Sequence, residues 1–294
     1  MSWRTIVIAH RAKVEYSMGY MVVREKETYR IFMDEIGTIL ISIPAVAFTG
    51  VWLTECLKRK IKIIFCDEKR NPAGEVLPYY GSYDSSRQMR SQICWDNGRK
   101  RQVWKEIIKE KIKNQAEVLQ EYGYGKEADT LMNYRNNVED GDFTNREAQA
   151  AKVYFSTLWG IKFTRREPTV VNGALNYGYA IILSACNREI SASGYMTQLG
   201  INHENVFNPF NLGSDLMEPF RPMVDREVLS MKLEEELTSA NKKDLINILN
   251  HKVIMSNRQI TVTQAIGIYS RSVFRSLEEK TPIDIAFYQV PNEG

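Results

Sequence analysis

Histidine is scarce in this chain. Only His10, His203 and His251 occur in 294 residues, so any imidazole chemistry rests on one of three side chains. Cysteine is nearly as rare. Cys56, Cys66, Cys94 and Cys186 are scattered, and no two form a CxxC pair. That spacing excludes a zinc ribbon and a disulfide framework and suits reduced thiols in a cytoplasmic protein. No run approaches the roughly 18 apolar residues of a membrane span. The opening MSWRTIVIAHR lacks a long apolar segment and a small-residue cleavage site, so it reads as a strand and not as a signal peptide. Bulk charge is slight, at net +3, so nucleic-acid binding has to rest on local patches. Internal repeats and low-complexity tracts are absent.

What is there is ordinary globular composition, 44% hydrophobic and 26% charged, in a chain long enough for a buried core. The first eighty residues read as β. Short runs at Thr5–Ala9, Tyr20–Val23, Tyr29–Phe32 and Thr38–Ile43 are punctuated by Gly19 and Gly37. Ala45–Lys60 carries Val46, Trp52, Leu53 and Leu57 in a pattern that predicts one helix. Ile61–Cys66 then predicts a buried strand, and Asn71, Pro72 and Gly74 a turn before Val76 and Leu77. Beyond Pro78, helical patterns take over at Arg99–Glu121, Arg146–Leu158, Val170–Ser184, Asp225–Glu236 and Val262–Leu277. In the first of these, Val103, Ile107, Ile108 and Ile112 share one face and Arg101, Lys105, Lys109 and Lys113 the other. The expected fold class is α+β. A small β-sheet domain with one packed helix (1–79) precedes a larger all-α domain (80–294).

Glu147, His203 and Glu218 are the candidate metal ligands, with Asp215 as a neighbouring candidate. A phosphodiester repels nucleophiles, and a divalent cation held by carboxylates and an imidazole relieves that repulsion. Each position also has a plainer reading. Thr144 and Glu147 have the spacing of a capping box, and spacing alone favours the cap. A lone histidine in the polar turn after an apolar helix ending near Leu199 is more often a surface residue than a ligand. Ser214 or Asp215 suits a helix N-cap, but Pro219 and Pro222 predict a kinked or interrupted helix where Glu218 is delivered. Tyr177 reads as core.

Taken together, four segments carry a resemblance: GDFTNREAQAAKVYF, VVNGALNYGYAIILSA, LGINHEN and NPFNLGSDLMEPFRPMVD. In this order they resemble the CRISPR-associated spacer integrases, over nearly the whole chain. The opening MSWRTIVIAHRAKVEYSMGYMVV is similar to the type II branch. The resemblance places the family's metal ligands on Glu147, His203 and Glu218. Ser214 stands where many relatives carry an acidic residue, without loss of a proposed ligand.

That resemblance implies a catalytic helical domain using Mg2+ or Mn2+, and an N-terminal β domain for dimerisation and partner contacts. It also implies a homodimer, with a small companion adaptation protein bridging two dimers. Other type II adaptation proteins and the effector nuclease are further implied partners. The implied reaction is attack of a spacer fragment's 3′-hydroxyl on a phosphodiester at the edge of a CRISPR repeat. Two other readings stay open: a metal-dependent nuclease acting on branched DNA, and a non-enzymatic helical DNA-binding scaffold. Arg87, Arg90, Lys105, Arg165, Arg166 and Arg221 are the candidate DNA contacts. The first three lie in the basic stretch Arg87–Lys113, which reads equally as a solvated helix face.

Overall fold

The structure, a computed structural model, describes residues 4–68, 70, 72–76, 78, 84–279 and 281–291. The chain divides into two compact units, residues 1–85 with 191–194, and residues 86–190 with 195–294. The expected boundary at 79/80 falls on residues outside the described ones. Strand sheets make up the first unit and helices most of the second, a mixed α/β architecture. Among the described residues no helix is long and apolar enough to cross a membrane.

The first unit contains β1 (Arg4–Ile8), β2 (Ala12–Ser17), β3 (Tyr20–Arg24), β4 (Thr28–Phe32), β5 (Ile36–Ile41), β6 (Val46–Phe48), α1 (Gly50–Lys58), β7 (Lys62–Cys66) and β8 (Pro72–Val76). They form two four-stranded sheets, ordered β1-β5-β7-β8 and β4-β3-β2-β6. The β2–β3 hairpin turns at Met18 and Gly19, both at positive φ (+48° and +85°), which matches the twist of paired strands. Trp52 and Cys56 of α1 are buried with Val14, Met21, Ile36, Ile39 and Ile63 from the two sheets. The helix expected over 45–60 therefore begins later. Val46–Phe48 pairs in parallel with β2, and the Thr49 side chain then accepts the Trp52 N–H to open α1. The turn expected around Pro72 and Gly74 is instead the edge strand β8, antiparallel to β7. Proline is tolerated there because the strand has an unpaired side. Asn71 and Leu77 lie outside the described residues.

In the second unit, α2 (Ser85–Ile93), α3 (Asn97–Glu121), α4 (Gly125–Asn136), α5 (Arg146–Trp159) and α6 (Val170–Ala192) precede a broken segment. That segment is α7 (Asn211–Leu216), a 3-10 turn (Glu218–Phe220) and α8 (Arg221–Ser230). α9 (Ser239–Asn247), the hairpin β9–β10 (Lys252–Met255, Arg258–Thr261) and α10 (Val262–Glu278) complete it. The hairpin corrects the all-α expectation: Ser256 and Asn257, at φ +50° and +60°, turn KVIM back on RQIT. The helix expected over 225–236 starts at Arg221 and stops at Ser230. Residue 177 is core, as read: Tyr177 is buried.

α3 is the axis of this unit and contacts α4, α5, α7, α8 and α10. Its Val103, Ile107, Ile108 and Ile112 are all fully buried. α8 comes close to α6 because Gly178 has no side chain: a Cβ there would stand 2.4 Å from Val224 Cγ1. Gly173, one turn earlier on the same helix, faces nothing within 4 Å. Gly178→Ala is therefore expected to destabilise the unit by about 1–3 kcal/mol through overpacking. Gly173→Ala is expected to stabilise it by up to about 1 kcal/mol through helix propensity. Denaturant midpoints of the two variants check this, and equal midpoints would refute the close approach.

Candidate functional site

Glu147 stands in the first turn of α5. The chain enters through three residues in the left-handed region, Gly141, Asp142 and Asn145, at φ +76°, +51° and +55°. This path brings the Asp142 carboxylate over the helix start. Its Oδ1 accepts the Arg146 N–H at 2.8 Å and its Oδ2 the Glu147 N–H at 2.9 Å. Asn145, at the N-cap, makes no side-chain bond, and Thr144 Oγ1 is buried without a partner. The capping box between Thr144 and Glu147 is therefore not formed. Asp142 satisfies the orphan N–H groups, and the Glu147 side chain is left to point elsewhere.

It points at Lys111. Nζ lies 2.5 Å from Glu147 Oε1 and 2.5 Å from Glu218 Oε2. Lys111 sits on α3 among Ile107, Ile108 and Ile112 and is itself buried. Sequence reading placed it in a basic stretch and missed its role. The signal was its phase: a lysine in register with the apolar face needs a buried anion. Burial favours the neutral amine, but Glu218 and Glu147 outweigh it and hold Lys111 above the ordinary lysine range.

Glu218 comes from the interrupted helix that Pro219 and Pro222 predict. The 3-10 turn Glu218–Phe220 separates α7 from α8, and each of the two helical pieces after Leu216 carries a proline in its first turn. The Pro219 carbonyl accepts from Asn114 Nδ2 and from the Tyr288 hydroxyl, each at 2.9 Å, and the Tyr288 ring stacks on Phe220. The turn is thus held from both sides. Arg221 Nε donates to Glu218 Oε1 at 2.8 Å. Burial pushes the Glu218 carboxyl up, but the Arg221 and Lys111 cations outweigh it and leave the group at about 2. Its Oε2 is buried and, beyond the ion pair with Lys111, has no aligned hydrogen bond.

His203 and Asp215 form a second pair. α6 ends at Ala192, not near Leu199, so His203 lies in a loop, eleven residues past that helix. Asp215, fully buried, organises that loop. It accepts the backbone N–H groups of Ile201, Asn202 and His203 at 2.6, 3.1 and 3.2 Å, and its Oδ1 lies 2.6 Å from His203 Nδ1. Asp215 is therefore not an N-cap, and Phe210 occupies the cap position of α7. Close wrapping requires Gly200, where a Cβ would meet His203 O at 2.3 Å and Asp215 Oδ2 at 2.7 Å. The Asp215 hydrogen bond raises the His203 pKa, against burial, and Glu218 and Glu147 add to the rise. With Nδ1 committed to Asp215, Nε2 is the ring nitrogen left for a ligand or a proton.

The candidate ligands are thus brought together in two steps. Glu147 and Glu218 share one cation, while His203 is within electrostatic reach of both. Among the described residues no three His, Cys, Asp or Glu side chains stand close enough to hold one metal ion. The carboxylate pair fits a cation, because it already encloses one. The candidate DNA contacts divide. Arg221 is committed to Glu218 and lies 4.6 Å over the Tyr179 ring; Arg165 bonds Asn172 and Asn176; Lys105 pairs with Asp140 at 3.1 Å. Arg87, Arg90 and Arg166 are exposed.

Asp215→Asn tests the clasp. The amide would turn a donor toward backbone N–H groups, with an expected loss of about 1–3 kcal/mol. It would also remove the charge that raises His203, so the His203 pKa should fall. An NMR titration of the three histidine rings reads this directly, and an unmoved His203 would refute the pairing.

Residues 5–261 match the family model described as CRISPR associated protein Cas1. The CRISPR-associated endonuclease Cas1 of Neisseria meningitidis serogroup C (strain 8013) is 32% identical over 271 residues, 90% of this chain and 89% of that protein. A solved casposase bound to integration product has a TM-score of 0.76 at 18% identity, covering 96% of this chain and 92% of its own. A chain of a Cas6-RT-Cas1–Cas2 complex has a TM-score of 0.71 at 17% identity, covering 99% of this chain and 36% of its own. At these identities the two structures establish a shared fold. The family match runs through both units and through Glu147, His203 and Glu218, and with the Neisseria relative it shows that the chain belongs to the CRISPR associated protein Cas1 family.

Proposed function

We propose that this protein is a metal-dependent DNA-joining enzyme that inserts short fragments into a CRISPR array. The observation that carries the reading is the convergence of two buried or half-buried glutamates from separate helices on one cation. Surface ion pairs do not need such an arrangement, and a buried one is poor evidence of stability alone. The reading is further supported by the names of similar proteins, an endonuclease of CRISPR systems and a casposase bound to integration product.

In this reading Glu147, Glu218 and His203 would hold Mg2+ or Mn2+, the two glutamates already converging and His203 closing on them when the ion is bound. The ion, when bound, neutralises charge on the phosphodiester and polarises its phosphorus–oxygen bond. The chain's own residues do the rest. Asp215 fixes the imidazole, so Nε2 keeps one direction. Arg221 and Lys111 keep Glu218 ionised despite burial. The attacking oxygen is the donor's 3′-hydroxyl, and no covalent protein intermediate is required. A homodimer and a small companion adaptation protein belong to the same proposal, and the Cas1–Cas2 complex among the similar structures supports it. A type II setting, in which the effector nuclease and other adaptation proteins also take part, belongs to it too. Hydrolysis of branched DNA is the second reading, favoured by the name of the Neisseria relative.

A strand-joining assay with the companion protein, a repeat-bearing plasmid and Mn2+ separates them, since joined strands support the first reading and shortened strands the second. Alanine at Glu147, His203 or Glu218 should reduce joining to the metal-free level. Glu147→Ala should also lower stability by about 1–3 kcal/mol, because it takes one of two anions from the buried Lys111. The loss of joining is therefore read on protein kept well below its melting temperature. A donor ending in a 3′-deoxy nucleotide should bind and not join, and joining by such a donor would refute the mechanism.

Lys111→Met supplies a readout independent of activity. It strips a buried ion pair of its cation and should cost about 3 kcal/mol. Mn2+ should then raise the melting temperature of the variant more than that of the parent. An equal rise would mean that the two glutamates do not share a cation site.

A further inference from the structure

The segment after α10 has little regular structure of its own. α10 ends at Glu278, and residues 281–291 join the sheet structure only through an isolated bridge. The tail is nevertheless tied to the helical unit at several points. Arg99 Nη2 donates to the Thr281 carbonyl at 2.7 Å. The Ala286 N–H donates to Ser272 Oγ at 3.0 Å. Gln289 and Ile254 exchange both backbone bonds at 2.8 Å, which fastens the tail to β9. Among residues 281–291 Tyr288 alone is buried, at 2% exposure, and the others are half-buried or exposed. The tail thus delivers one ring into the interior.

That ring arrives at the turn that carries Glu218. It stacks on Phe220, with centroids 4.9 Å apart and planes 24° from parallel. A phenylalanine would stack as well, so the hydroxyl needs its own reason. It donates to the Pro219 carbonyl at 2.9 Å and accepts from Asn114 Nδ2 at 3.2 Å. Asn114 Nδ2 reaches the same carbonyl at 2.9 Å. Asn114 lies one turn beyond Lys111 on α3, hence on the same face. α3 therefore meets two successive residues, Lys111 taking the Glu218 side chain and Asn114 the Pro219 main chain. Pro219 and Pro222 supply no N–H, so a regular helical ladder cannot hold the main chain here. The peptide after Glu218 has to be pinned from outside, and its direction sets the direction in which the Glu218 side chain leaves the backbone.

We propose that Tyr288 is a positioning residue for the Glu218 carboxylate, acting through the Pro219 carbonyl. The C-terminal tail is in this way part of the site. What Glu218 is positioned for, a divalent cation, rests on the DNA-joining reading; the hold on the turn does not.

Two variants of the full-length protein separate positioning from packing. Tyr288→Phe keeps the ring on Phe220 and removes the hydroxyl. Ser272→Ala releases the tail at Ala286 and leaves Tyr288 in place. Both take hydrogen bonding from buried groups, so both lose stability. The first readout is backbone amide exchange in EDTA. In Tyr288→Phe the amides between Glu218 and Met223 should exchange about tenfold faster than in the parent, while α4 keeps its parental rate. In Ser272→Ala the same amides should keep the parental rate. The second readout is Mn2+ uptake, followed by the relaxation of water protons. Half-saturation of Tyr288→Phe should need about tenfold more Mn2+, as when a group that orients a ligand is lost. Ser272→Ala should take up Mn2+ like the parent.

Unchanged exchange of the turn in Tyr288→Phe would overturn the proposal. So would equal acceleration in both variants, which would reduce the tail to packing, or parental Mn2+ uptake by Tyr288→Phe beside a loosened turn. A parent that takes up no Mn2+ would instead sink the metal reading, and exchange in EDTA would still decide whether Tyr288 holds the turn.

Discussion

Lys111 is the constraint on which the helical unit depends. Its ammonium is buried on α3, and the carboxylates that answer it arrive from α5 and from the turn between α7 and α8. Removing such a charge from water costs several kcal/mol unless partners are in place. The three segments must therefore converge, or each leaves an uncompensated ion. Arg221 makes the set electrically even, with two cations against two anions. An even set has little affinity for more anion. In the proposed reading, a divalent ion would add the excess positive charge that a phosphodiester needs.

Four acids around this site divide the work by reach. Asp142 and Asp215 accept two and three backbone N–H groups respectively. Each fixes a piece of main chain, the start of α5 in one case and the His203 loop in the other. Glu147 and Glu218 have one more methylene and extend past the backbone to a cation. The short acids thus build the frame and the long acids meet the charge. The same division explains why Asp215 accompanies the proposed ligands without being one of them. Its oxygens are already occupied by the loop it shapes.

Much of this was legible in the sequence, where residue pattern and environment agree. The short β runs of the first unit form strands, and α3 shows its apolar stripe. Pro219 and Pro222 announce the broken helix. Legibility failed where a local signal was ambiguous or its partner was distant. Thr144 and Glu147 have capping-box spacing, but the cap comes from Asp142, and no rule of spacing anticipates a left-handed entry through Asn145. Val46–Phe48 carries apolar residues that suit a helix as well as a strand, and pairing with β2 decides it. The β9–β10 hairpin had a readable Ser256–Asn257 turn, masked by its helical surroundings. Lys111 was hidden by its basic neighbours. Only the phase of the helix separates a solvated lysine from a buried one, and its partners lie far along the chain.

The same separation orders the remaining cations. Lys105 and Arg221 are ion-paired within the protein, and Arg165 is bonded to Asn172 and Asn176. A phosphate would have to displace those partners and would gain correspondingly little. The exposed cations Lys152, Lys162 and Arg166 lie on α5 and the loop after it. With a net charge of only +3, the whole molecule exerts a weak field. Ionic screening over about 8 Å at physiological salt weakens it further. On the DNA-joining reading, guidance of a charged strand would then rest on contacts close to the proposed ligands. Of the exposed cations, α5 itself carries Lys152, about one and a half turns after Glu147, whereas Lys162 and Arg166 follow the helix end at Trp159.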